Sequence, residues 1–119
     1  DLLQVSGVGN STLTGGSGAD VFKWALYSQG SSTITDFKMT TDADKINLHD
    51  LLTGSGFTNS NYANYLNLTT SGSDAVLKVD ITGGQNFLSP ALTVTMTGAA
   101  TDIGAAQLST LLDQRVILT

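Results

Sequence analysis

The densest chemistry in the chain lies at residues 15–23, Gly15-Gly16-Ser17-Gly18-Ala19-Asp20-Val21-Phe22-Lys23. Glycines at the first, second and fourth positions permit backbone with positive φ, in which a tight turn can expose peptide carbonyls on one side. Asp20 adds a charged oxygen to those carbonyls, and an oxygen-only ligand set suits a hard cation such as Ca²⁺. Phe22 is the large apolar residue of the unit, placed to fill a core between two short sheets.

The unit is repeated. Residues 6–14 (SGVGNSTLT) align with residues 15–23 as tandem nine-residue units, with Gly7 matching Gly16, Gly9 matching Gly18 and Leu13 matching Phe22. The second unit fits the nonapeptide GGxGxDxUx of the calcium-binding parallel β-roll, U being a large apolar residue. In the first unit Asn10 and Ser11 stand where the pattern wants another residue and the Asp, so it supplies a turn and binds metal poorly or not at all. Successive units alternate sides, which puts the metal partner of the 15–20 turn at residues 33–38. Asp36 falls in that window, and Asp44 lies in the stretch that can fold back onto the same end. The expected site is therefore one Ca²⁺ held by carbonyls around Gly16 and Gly18 and by the carboxylates of Asp20, Asp36 and Asp44.

Short strands must carry these turns. Residues 31–37 (SSTITDF) and 45–48 (KINL) alternate like strands, and 49–52 reads as a helical turn. Residues 53–61 are a loop by composition. A hairpin is expected from strands at 65–70 and 75–81 around the turn 71–74, with Leu77, Val79 and Ile81 on one face and Val76, Lys78 and Asp80 on the other. Residues 82–90 form a loop holding the only Pro, and 91–97 alternate as a further strand. One longer helix is expected, capped by Asp102, with Ile103, Ala106, Leu108, Leu111 and Leu112 at helical spacing up to about residue 114. A terminal strand, RVILT, closes the chain. No linker divides it, so residues 1–119 read as one domain, with 1–48 the roll end and calcium site and 49–119 a sandwich cap carrying a secretion signal.

Composition narrows the function. All ten acids are Asp, set against five basic residues, for a net charge of −5. Short carboxylates without any Glu belong to turns and loops, where they bend onto backbone or reach a cation. A negative surface repels phosphate, which argues against nucleic acid. The absence of Cys removes disulfides, thiolate catalysis and Cys-based zinc sites. A secreted domain without disulfides needs another staple, and a metal would serve. No apolar run approaches the ~20 residues of a membrane span, and no signal peptide is seen. Starting at Asp1, the chain reads as a piece of a longer protein. His49 beside Asp50 has no second imidazole or thiol to work with, and no GxSxG elbow frames a Ser. Catalysis is not expected.

The succession GGSGADVFKW, ITDF, DKINLHDLL resembles the C-terminal domain of repeats-in-toxin (RTX) adhesins exported by type I secretion. Serralysin-type proteases and related lipases share a similar succession, while the later segments SDAVLKVDITGG, LTVTMTG and LLDQRVILT resemble the adhesin group more. The similarity covers nearly the whole chain. It implies an uncleaved C-terminal signal read by an inner-membrane ABC transporter and its adaptor, with Gly15, Gly16, Gly18 and Asp20 as the roll turn and Asp36 and Asp44 as the closing site. Asn47 and His49 depart from the family's usual Asp and Ser, so a second metal is not expected beside them.

The resulting expectation is an all-β domain: a short calcium-binding parallel β-roll continuing into a β-sandwich, with one helix near the C-terminus. Its expected role is calcium-dependent secretion and capping of a large adhesin, secreted or at the bacterial cell surface. It would be a monomer carrying adhesin repeats upstream, without membrane insertion, and would serve adhesion and biofilm formation. Two other readings stand beside it. One is a calcium-folded adhesive or ligand-binding module using Phe57, Tyr62 and Tyr65. The other is an accessory domain of a secreted protease or lipase.

Overall fold

The computed structural model describes residues 1–103 and 107–119. Among the described residues, nine strands form two sheets: β1 (Leu2–Val5), β2 (Ser11–Leu13), β3 (Val21–Trp24), β4 (Gly30–Ile34), β5 (Lys45–Asn47), β6 (Leu66–Ser71), β7 (Asp74–Val79), β8 (Leu92–Met96) and β9 (Ile117–Leu118). Three short helices join them, α1 (Met39–Asp42), α2 (His49–Leu52) and α3 (Leu108–Asp113), with a 3₁₀ turn at Tyr62–Asn64.

The first five strands alternate between the sheets. One sheet has the order β1-β3-β5-β9 and is parallel throughout; the other has the order β2-β4-β8-β7-β6 and is mixed. Parallel neighbours cannot be joined by a two-residue hairpin. The chain meets this by crossing to the opposite sheet between paired strands, so that Leu2 pairs with Val21 and Ser11 with Ser32. Only the later segment turns back on itself. There Ser71 pairs with Asp74 around Gly72 and Ser73, and β6 and β7 run antiparallel.

Strand alternation builds the core. Phe22 and Trp24 of β3 and Ile46 of β5 face Ile34, Leu77, Val79, Leu92, Val94 and Met96 of the other sheet in one buried cluster. Burying a Phe or Trp rather than Ala is worth about 3–5 kcal/mol, so these strands hold the turns in place. The Trp24 indole donates to the Ser32 hydroxyl at 3.0 Å, which satisfies both of these buried polar groups.

The fold corrects the expectation of an all-β roll and sandwich with one helix. The molecule is mixed α/β, with three short helices and a parallel sheet as its first layer. The reason is connection geometry: α1 and α2 flank β5, where the chain needs a compact crossover more than another strand. Leu51 and Leu52 of α2 reach the core from there. The late helix is also shorter than expected. α3 begins at Leu108, and Ala106 lies outside the described residues. Asp102 does not cap α3. Its carboxylate accepts from the amides of Met39 at 2.6 Å and Thr40 at 3.3 Å and from the Thr40 hydroxyl at 2.6 Å. It caps α1, a helix 63 residues away in sequence.

Candidate functional site

Each of Asp1, Asp20 and Asp44 stands one residue before a strand of the parallel sheet. Because Leu2 pairs with Val21 and Val21 with Lys45, the three occupy equivalent places on successive strands. The ladder is tied through backbone nitrogens. Asp20 Oδ1 accepts from the Asp1 backbone nitrogen at 2.7 Å, and Asp44 Oδ1 accepts from the Asp20 amide at 2.9 Å. Asp44 Oδ2 takes the Lys38 amide at 3.0 Å. Burial pushes the Asp44 carboxyl above its ordinary value of 3.8, and the Asp20 and Asp42 carboxylates push the same way against the two amides.

Asp36 goes to the other end of the turn. Its two oxygens accept from the Gly15 amide at 2.9 Å and the Gly16 amide at 2.7 Å. Gly16 and Gly18 have φ of 86° and 88°, the left-handed region that glycine enters without cost. Gly15 is needed for a different reason. A Cβ there would collide with Asp20 Oδ2, so only a glycine lets that carboxylate lie against the turn.

The residues expected to hold Ca²⁺ thus differ in what they have left to offer. Both oxygens of Asp36 and both of Asp44 already accept backbone amides. Asp20 is 1% exposed, and its Oδ2 is a buried carboxylate oxygen with no partner. Burying a charged oxygen without a partner is costly, and a cation at that oxygen would remove the cost. Asp20, with Gly15 of the turn against it, fits a hard cation; Asp36 and Asp44 hold backbone amides while each of their oxygens keeps a further lone pair with which it could join Asp20. Among the described residues, no three acidic or imidazole side chains converge as a metal cluster. A cation here would therefore draw on backbone carbonyls as well as carboxylate oxygens.

Sequence reading missed a second acid. Asp80 is buried after β7 and collects four donors: the Thr82 amide at 2.9 Å, the Thr82 hydroxyl at 2.7 Å, and the Gly84 and Asn86 amides at 3.1 and 2.9 Å. Burial alone would raise its pKa, but the Thr82 hydroxyl and the amides of Asn86, Thr82 and Gly84 outweigh it and hold the carboxyl below 3.8. The signal was legible as Asp80-Ile81-Thr82-Gly83-Gly84, an Asp followed by turn residues that bring amides back to it.

The remaining candidates separate. His49 is exposed, with Nδ1 3.0 Å from the Thr119 carbonyl oxygen, while the carboxylate of neighbouring Asp50 pairs with Lys23 at 2.9 Å. Of the three aromatics considered for ligand binding, Tyr65 is buried with its hydroxyl donating to the Ser55 carbonyl at 2.7 Å. Phe57 packs edge-on against it at 5.5 Å. Tyr62 is half-buried. Tyr65 belongs to the core cluster, and Phe57 and Tyr62 pack against that cluster.

No family model, curated protein or solved structure matches the chain. What it does must be read from its own residues.

Proposed function

We propose that this chain is a calcium-dependent secretion and capping domain of an exported RTX-type adhesin, read by a type I ABC transporter and its adaptor and acting outside the cell. The observation that carries the reading is the unpartnered, buried Oδ2 of Asp20 in the turn GGSGAD. Without a cation the folded state must bury part of a carboxylate unsatisfied; with one it need not. Extracellular calcium modules have dissociation constants of about 10⁻⁴–10⁻³ M, so such a site is empty in cytosol and filled outside. At a concentration of about 100 times the dissociation constant, one site bound only in the folded state adds about 2.7 kcal/mol. That is a large part of the margin of a small domain.

The coupling suits export. A chain that is loosened in cytosol can be threaded, and folding on the far side opposes its return. The 102–119 segment is the proposed signal, available when unfolded and buried afterwards through Leu111 and Ile117. The test fuses residues 1–119, or 1–101, behind a passenger in cells carrying a type I exporter for RTX adhesins. Export of the first fusion and retention of the second is expected. Equal secretion of both, or of neither, would overturn the assignment of the signal.

A further inference from the structure

Over β2, β4 and β8, the outward face of the five-stranded sheet is a lattice of hydroxyls. Thr12 of β2 pairs with Thr33 of β4, and Thr33 pairs with Thr95 of β8. One step along the strands, the ladder continues through the Thr35 amide to the Leu13 carbonyl and the Thr97 amide to the Ile34 carbonyl, each at 2.9 Å. That carries Thr14, Thr35 and Thr97 into a second row. The Thr14 and Thr35 hydroxyls lie 2.5 Å apart. On the other side of the first row, Ser31 pairs with Thr93. These side chains are exposed or half-buried, while the alternate residues Ile34, Val94 and Met96 are fully buried.

The spacing follows from sheet geometry. Neighbouring strands lie about 4.8 Å apart, and same-face residues of one strand repeat about every 6.6 Å. The two-dimensional repeat is held in place from its rim. Asp36, next to Thr35, grips the amides of Gly15 and Gly16, next to Thr14, and so fixes the two rows across β2 and β4.

Threonine's preference for strands explains why it is common here. It does not explain why charge is missing. A solvated face normally mixes charged residues with polar ones. In this chain of net charge −5, the outward positions of β2, β4 and β8 hold none. The nearest charged residues in register are Lys78 and Asp74, both on β7, and Asp36, Lys38 and Asp102 stand beyond the strand ends, beside Thr35 and Thr97. Nor does an aromatic ring stand among these positions, as a platform for sugar rings would need. An array of threonines offers each adjoining water a hydroxyl that donates and accepts, beside a methyl group that restricts the orientation of its hydration water. A flat, uncharged, repeating partner made of ordered water matches that chemistry; a mineral would call for carboxylates.

We propose that this face binds ice, with the rows Thr12-Thr33-Thr95 and Thr14-Thr35-Thr97 seating a layer of ordered water continuous with the ice lattice. The test uses the full chain in calcium-containing buffer and measures its partition into a slowly grown ice hemisphere and the gap between freezing and melting of a single crystal. The chain should enrich in ice and open a gap that grows with its concentration. Thr33→Lys and Thr95→Lys should each reduce both at least tenfold with an unchanged far-ultraviolet spectrum, while Gln4→Lys, exposed on β1 of the other sheet, should stay within twofold of the parent. Thr12→Lys, on the exposed edge strand, gives the same test should a central variant melt early. Exclusion of the parent from ice, an undiminished effect in the lysine variants, or binding to crystalline chitin or cellulose without binding to ice would each overturn the proposal.

Discussion

Asp20 and Asp80 are both buried aspartates at the edge of a strand, yet they solve the same problem in opposite ways. Asp80 draws its own loop around itself. Within six residues the chain supplies three amides and a hydroxyl, and the anion is satisfied without outside help. Asp20 has its turn on the preceding side and accepts only from the Asp1 backbone nitrogen, leaving Oδ2 without a partner. The difference lies in how many donors reach the carboxylate: four at Asp80, but at Asp20 only one, on a single oxygen. Asp36 and Asp44 follow the pattern of Asp80, and three of their four amides come from 20 or more residues away. The chain's reliance on Asp over Glu fits both uses, since a short carboxylate reaches its neighbouring backbone with little conformational freedom to lose.

The comparison can be broken in three ways. The largest effect is expected from Asp80→Ala, which strips four donors of their acceptor at once. It should cost about 3 kcal/mol in urea unfolding, with the same loss in calcium and in chelator. A loss confined to calcium-containing buffer would mean that Asp80, too, serves a cation. The next is Asp20→Asn. It should abolish calcium-induced stabilisation, about 2.7 kcal/mol at 100 times the dissociation constant, and leave stability in chelator equal or higher, because it removes the charge from a buried oxygen that has no partner there. Parent protein that melts alike with and without calcium would remove the cation from Asp20. The smallest concerns pH. The Asp80 pKa is depressed when folded, so its contribution is complete above the unfolded value near 3.8 and is lost as pH falls through the folded one. The stability gap between parent and Asp80→Asn should therefore narrow below pH 3.8. A gap that stays constant on acidification would show that the hydrogen bonds to Asp80 act through shape, without its charge.

Several elements are legible in the amino-acid sequence. The hairpin of β6 and β7 and the strands at β4, β5 and β8 follow from period-two alternation around turn residues, because a buried face imposes that period wherever one sheet covers another. The turn at residues 15–20 is equally local, since only glycine tolerates the backbone found at Gly16 and Gly18. The helices are harder. A single turn such as α1 has almost no periodicity to read, and Asp102 resembles a cap for the helix nearest in sequence while capping one reached only through folding.

The sequence by itself determined the types of group available: turns that free carbonyls, aspartates short enough to meet them, and alternating threonines on strands. Only the tertiary structure decided which aspartate keeps a free oxygen, because that depends on which amides arrive from 20 or more residues away. It likewise decided that threonines far apart in the chain share one face in register. Strand pairing is set by the burial of Phe22, Trp24, Ile34 and Val94 together, a property of the whole core that no single segment carries.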